Sequence, residues 1–259
     1  MIGQYAAIMA VSAFASGLTL FSGFGLGTIL LPVFALFFPV ELAIAMTAVV
    51  HLLNNLFKLA LLGKYANRDV LLRFGLPAVL AAYFGAQVLV WFAEQPPLLR
   101  YTLGSRELLV TPVKLVIALL IVAFALLELS KRIEALSLPR SALPVGGLLS
   151  GFFGGLSGHQ GALRSAFLLK CGLSKESFIA TGVVIACFVD LSRLFVYSER
   201  FLFEGTAQNL SLLAAAVLSA FAGAYFASRK LKKVSMRLVR ILVSTMLFVV
   251  ALGLGSGIF

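Results

Sequence analysis

Apolar runs long enough to cross a bilayer recur along almost the whole chain, at 5–22, 41–62, 70–92, 112–129, 176–197, 207–228 and 237–257. About 20 apolar residues in helical form span the hydrocarbon core, and a chain with this many such runs has few folds open to it. In hydrocarbon every backbone amide must be satisfied within the protein, so the spans are helices. With 61% hydrophobic and 12% charged residues among 259, the composition lies far outside that of soluble domains. The expectation is an all-α polytopic membrane protein with no separate soluble domain. The opening "MIGQYAAIMAVSAFASGL" contains an A-x-A-like "AFA" but no basic n-region, and is read as a retained first helix.

The net charge of +11 is concentrated in short loops. Its densest run, "SRKLKKVSMRLVR", holds Arg229, Lys230, Lys232, Lys233, Arg237 and Arg240 without an acidic neighbour. In a polytopic chain this is a cytoplasmic loop that meets anionic lipid, and nucleic acid is not an expected partner. Cys171 and Cys187 form no CxxC or Cys/His spacing, so neither a disulfide framework, a metal site nor a cofactor is expected.

Two glycine-rich breaks, "SGFGLG" at 22–27 and "GGLSGHQG" at 154–161, interrupt the apolar pattern. The first is followed by a short limb at 28–38; the second lies between limbs at 143–153 and 162–170. Each break is followed by three ordinary spans, which divides the chain into a first membrane repeat (1–130), a cytoplasmic linker (131–142) and a second membrane repeat (143–259). An offset of 135 superposes "PVELAIAMTAVVHLLNNLFK" on "SKESFIATGVVIACFVDLSR" and pairs Glu41 with Glu176, Asn55 with Asp190 and Lys58 with Arg193. Treating 143–170 as a re-entrant hairpin puts the loop with Lys131, Arg132 and Arg140 and the loop with Lys64, Arg68 and Arg73 on the same side as the dense basic run. A full crossing there would break the positive-inside bias. Each half then has an odd number of crossings, the two repeats are inverted, and both termini are extracytoplasmic.

Irregular backbone at membrane depth persists only inside protein or beside a wet cavity, so the breaks mark the expected substrate site. A helix restarting after "GHQG" offers free N–H groups and the positive end of its dipole, which suits an anion. Arg164 lies about one turn further on, with His159, Gln160, Gly158 and Gly161 at the break and Gly25 and Gly27 at its counterpart. Other readings stay open. Gly147, Gly151 and Gly155 have helix-packing spacing, Arg164 is close enough to a helix end to snorkel, and His159 fits a packed, hydrogen-bonded histidine.

A second constellation lies on the long spans. Thr47, His51, Asn54, Asn55 and Lys58 form one polar stripe at helical spacing, which must face the bundle interior. Thr181, Asp190, Arg193 and Tyr197 form the matching stripe in the second half, where Asp190 and Arg193 are placed to pair with each other. Lys58 and Arg193, toward the ends of their spans, could also snorkel. Asn54, Asn55 and His51 are expected to bind substrate or line its path, with Thr47, Lys58, Thr181, Asp190 and Arg193 in pathway or gating roles. His51, His159 and Asp190 are the intramembrane proton sites.

The repeated pattern "SGFGLG…LLP" and "SGFFGGLSG…GLSKESFIATGVV" resembles the TauE/SafE sulfite exporter family, also called the 4-toluene sulfonate uptake permeases. The matching positions are Gly23, Gly25, Gly27 and Pro32, then Gly151, Gly154, Gly155 and Gly158; the chain departs from the pattern at "HQGALRSAF". The resemblance implies a multi-pass protein of a bacterial or archaeal cell membrane, a secondary transporter of sulfite, an organosulfonate or a related small anion. It leaves protons or sodium open as the coupling ion and allows a homodimer. Two rival classes are a passive anion channel and, on the string Gly155-Leu156-Ser157-Gly158, a rhomboid-like intramembrane serine protease with His51 as the partner of Ser157. A non-transport role in lipid handling is a further alternative.

Overall fold

The computed structural model describes residues 2–22, 25–130, 139–169, 171–198, 209–230 and 236–259. Gly23, Lys131, Arg132 and most of the linker, residues 199–208 after the first long span of the second half, and the centre of the basic run lie outside the described residues. The described part is helical but for one hairpin. Its helices are α1 (Ile2–Ser22), α2 (Leu26–Ala35), α3 (Val40–Leu62), α4 (Arg68–Ala93, with a π turn at Leu71–Gly75), α5 (Pro112–Leu129), α6 (Leu143–Ser157), α7 (Gly161–Leu168), α8 (Lys175–Tyr197), α9 (Leu210–Lys230) and α10 (Met236–Gly255). Five of them, α1, α3, α4, α8 and α9, are long and apolar enough to cross a membrane. The protein is an all-α polytopic membrane protein.

Helix bounds repeat along the chain. α8 starts and ends 135 residues after α3 (175 against 40, 197 against 62). α6 ends 135 residues after α1 (157 against 22), and α7 starts 135 after α2 (161 against 26). Packing follows the same correspondence. α6 lies along α4 while α1 lies along α9; α3 packs on α8, and α5 on α10. The pairs are unequal in one respect, because α1 reaches full span length whereas α6 has 15 residues and α7 only 8. At about 1.5 Å per residue neither of the latter crosses the roughly 30 Å core alone.

The surface is inverted relative to a soluble protein. Leu72, Leu76, Leu80 and Phe84 make an exposed apolar row down α4, while Asp190 and Arg193 lie buried. Glycines permit the close helix pairs. A Cβ on Gly147, Gly151 or Gly155 of α6 would sit 2.2, 2.0 or 2.0 Å from the carbonyl oxygens of Phe74, Ala78 and Ala82 in α4. Gly223 of α9 meets the Ala13 carbonyl of α1 in the same way, at 2.0 Å. The packing reading of the GxxxG spacing therefore holds for the α6 row.

Two expectations need correction. The second glycine run does not break the helix at 154: α6 continues through Ser157, and the irregular backbone is confined to Gly158, His159 and Gln160. Likewise Gly27 belongs to α2, which starts at Leu26 rather than 28. Glycine loses little inside a helix that must approach its neighbour closely, so a glycine-rich run alone overstates the length of a break. The stretch between α4 and α5 is also more than a loop. It forms an antiparallel hairpin, β1 (Leu99–Leu103) and β2 (Arg106–Val110), turning at Gly104, whose φ is 64°. "LGSR", a Gly-Ser turn between short apolar runs, was its signal.

Candidate functional site

α2 and α7 each start at an interruption, and the two interruptions meet. Gly25, before α2, has φ 115°, and Gly158, after α6, has φ 82°, both in the left-handed region that favours glycine. The Gly158 N–H donates to the Gly154 carbonyl at 2.9 Å, closing α6 with a left-handed cap. A Cβ on Gly27 would lie 3.5 Å from the Gly158 oxygen and 4.0 Å from Thr47 Cγ2. This places both breaks beside the start of the α3 stripe.

The buried charges gather next to Gly158. Arg193 donates to Asp190 Oδ1 through Nε at 3.0 Å and Nη2 at 2.7 Å, and through Nη1 to the Gly154 carbonyl at 3.3 Å. A Cβ on Gly158 would come within 2.8 Å of Arg193 Nη1, a second reason for glycine there. Gln160 Nε2 donates to Asp190 Oδ1 at 3.4 Å, and its Oε1 accepts from Arg164 Nη1 at 3.3 Å. Ser150 Oγ holds the Gln160 carbonyl at 2.9 Å, and Tyr197 donates its hydroxyl to the Gly155 carbonyl. The break is thus tied to α8 through Asp190, Arg193 and Tyr197.

From the other half, His51 Nδ1 lies 2.6 Å from Asp190 Oδ2. A carboxylate paired with a guanidinium only accepts, so Nδ1 carries the hydrogen. Asn55 Nδ2 lies against the same ring, 3.2 Å from Nδ1 and 3.3 Å from Nε2. Lys58 Nζ donates to Thr19 Oγ1 at 2.8 Å, Thr19 donates to the Ser16 carbonyl at 2.9 Å, and Ser16 Oγ to Asn54 Oδ1 at 2.8 Å. Lys58 and Arg164 are near enough to repel each other, and Arg164 is attracted to Asp190.

The snorkelling readings of Arg164, Lys58 and Arg193 do not hold: their exposures are 5%, 5% and 1%. With the fully buried Asp190, these side chains put three cationic groups against one carboxylate in the interior. Three buried polar atoms of the α3 stripe and the second break lack a hydrogen-bond partner among the described residues, namely Thr47 Oγ1, Asn54 Nδ2 and His159 Nε2. His159 is held by a stack on Phe124 of α5, with centroids 5.2 Å apart, and by a 3.1 Å contact from Nδ1 to Ser157 Oγ.

Among the expected residues, His51, Asn55, Gln160, Arg164, Asp190 and Arg193 come together, with Gly27 and Gly158 at the meeting of the breaks. Thr181 does not join them. Its Oγ1 accepts from the Asn67 N–H at 2.8 Å, and Asn67 in turn caps the start of α4 by accepting from the Val70 N–H at 3.0 Å. Gly161 contributes the first residue of α7. The protease reading required His51 beside Ser157; His51 pairs with Asp190 instead, and the Ser157 hydroxyl donates to the Phe153 carbonyl at 3.1 Å. The sequence reading missed Ser16 and Thr19 of α1, which hold Asn54 and Lys58. Their signal was the row Ser12, Ser16, Thr19 at helical spacing within an apolar helix.

Fold and site together define a polytopic helical membrane protein that carries a buried cationic centre at the junction of two interrupted segments. The chain belongs to the sulfite exporter TauE/SafE family, whose family model matches residues 8–254. It is accordingly a membrane transporter. No curated protein and no solved structure matches it.

Proposed function

We propose that the protein is a secondary transporter of a small sulfur-containing anion such as sulfite or an organosulfonate. The observation that carries this reading is the buried excess of positive charge formed by Lys58, Arg164 and Arg193 against Asp190 beside Gly158. Such an excess is expensive in a low-dielectric interior unless an anion completes it. Arg164, Gln160, His159 and the starts of α2 and α7 bind the anion, and Asn54, Asn55 and His51 line the approach. The partnerless Thr47 Oγ1, Asn54 Nδ2 and His159 Nε2 supply further polar contacts.

The mechanism is alternating access of two inverted halves, 1–130 and 143–259, rocking around the paired breaks, with the termini extracytoplasmic and 131–142 cytoplasmic. The correspondence of helix bounds at an offset of 135 and the exchanged packing of α1 and α6 support two related halves. A carrier of this kind is not an enzyme. Counterflow in proteoliposomes tests it, with sulfite, sulfate, thiosulfate, sulfoacetate, taurine and a small carboxylate. Saturable exchange of one sulfur anion, reduced at least tenfold in a folded Arg164→Gln protein, is the expected result. Unsaturable conductance points to a channel, and normal exchange by Arg164→Gln removes the cationic centre from the substrate site.

A further inference from the structure

We propose that Tyr197 and Ser150 are positioning residues that give the second break its preference for negative charge, by covering the backbone carbonyls that end α6 and precede α7. This rests on the anion-carrier reading above and names what sets the polarity of its site.

The difficulty for an anion at this place lies in the backbone. α6 ends at Ser157 and α7 starts at Gly161. One small region therefore receives the free carbonyls and negative dipole end of the first helix together with the free N–H groups and positive dipole end of the second. α6 is the longer, with 15 residues against 8. Left bare, its carbonyls would draw a cation and repel an anion, as the C-terminal ends of interrupted membrane helices do.

Here the carbonyls are covered. The Gly154 oxygen accepts from the Gly158 N–H at 2.9 Å and from Arg193 Nη1 at 3.3 Å. The next oxygen, on Gly155, accepts from the Tyr197 hydroxyl, which reaches it from α8. On the far side of the break the Gln160 oxygen accepts from the Arg164 N–H at 3.0 Å and from Ser150 Oγ at 2.9 Å. The start of α7 is treated differently. Gln160, the residue before it, gives the helix no side-chain cap, because its amide group goes to Asp190 and Arg164. The break thus engages three of its carbonyls and leaves the start of α7 to a ligand. The buried His159 Nε2, without a hydrogen-bond partner among the described residues, is an independent sign that a ligand completes this place. Of the three side chains that cover the carbonyls, Arg193 also holds Asp190 and belongs to the ion pair. Tyr197 and Ser150 are buried and uncharged, so they act on an anion through the carbonyls they hold and not by a charge of their own.

Binding isotherms of the solubilised protein with sulfate and methanesulfonate, which are similar in size but doubly and singly charged, test this. In Tyr197→Phe the Gly155 oxygen is uncovered, and the added negative potential acts twice on a dianion. The dissociation constant should rise about threefold for methanesulfonate and about tenfold for sulfate. Ser150→Ala, a smaller change of shape that carries the test if Tyr197→Phe does not fold, should give about twofold and about fourfold. A hydrogen bond that only held the shape of the break would, when lost, weaken both anions by one factor. An equal factor for the two anions, unchanged binding in either folded variant, or a wild-type protein that binds neither anion overturns the proposal. The carrier reading fails by a different result: wild-type protein in proteoliposomes exchanges none of the panel, whichever anions it binds.

Discussion

α3 and α8 have the same length, bounds that differ by the same 135 residues and a shared crossing in the interior, yet they handle charge in opposite ways. In α8, Arg193 is matched within its own helix by Asp190. In α3 the corresponding positions hold Lys58 and Asn55, so Lys58 has no carboxylate one turn away on its own helix and rests instead on the neutral hydroxyl of Thr19. One half carries an internally neutral pair and the other a cation on neutral supports. A symmetrical pair of ion pairs would have no net charge to offer. The asymmetry, a single Asn in place of Asp, together with Arg164 gives the centre the excess of cationic groups on which the anion-carrier proposal rests.

The strongest test of this contrast is Arg193→Met. The substitution leaves Asp190 buried without its bidentate partner, with His51 and Gln160 in hydrogen-bond contact and Arg164 acting from further off. Stranding one partner of a buried pair typically costs about 3–5 kcal/mol. A large loss of thermal stability in detergent is expected, together with loss of exchange. A protein as stable as wild type would mean that the Asp190 charge is not fixed by Arg193, and the distinction between the two helices would fall.

Next in size are the glycine contacts, where the two halves should behave alike. Gly155→Ala in α6 and Gly223→Ala in α9 each drive a Cβ to 2.0 Å from a carbonyl oxygen of the partner helix. Each forces a helix pair apart, with an overpacking cost of about 1–3 kcal/mol. Similar shifts in unfolding temperature are expected for both. A pronounced difference would show that the α6 seam next to the site and the α1–α9 seam opposite it do not play equivalent parts.

Much of this was legible in the sequence because it depends on period and polarity. The long spans are set by apolar length, and the stripe Thr47, His51, Asn54, Asn55, Lys58 emerges from helical spacing in a helix that otherwise favours hydrocarbon. The pairing of Asp190 with Arg193 follows from a spacing of three. The reach of His51 across to Asp190, 139 residues on, did not follow, since it depends on how two helices cross. Nor did the true extent of the break, because glycine signals both an irregular backbone and a close helix contact, and only Gly158 of the second run serves the former. Thr181 looked like part of the stripe by composition alone; its hydroxyl was committed to the Asn67 amide, a tertiary contact without a local signature.

The smallest stability effect carries the sharpest functional consequence. Lys58→Met removes a buried cation that has no ion-pair partner on its own helix. Its hydrogen bond goes to Thr19 Oγ1, whose own hydrogen already donates to the Ser16 carbonyl, so the substitution leaves an oxygen lone pair without a donor and no stranded charge. The loss of that bond, about 1 kcal/mol, is offset by relief of the repulsion from Arg164 and by the apolar side chain in a buried place. Thermal stability should stay within about 1 kcal/mol of wild type, in contrast to Arg193→Met at the equivalent position. Anion affinity should fall roughly tenfold, or about 1.4 kcal/mol, because a third of the positive charge facing the ligand is gone. Binding isotherms with thiosulfate and sulfoacetate beside thermal unfolding of the same samples check both halves of the statement. Stability loss as large as that of Arg193→Met would show that Lys58 holds the fold as Arg193 does, and the unmatched cation would then be structural.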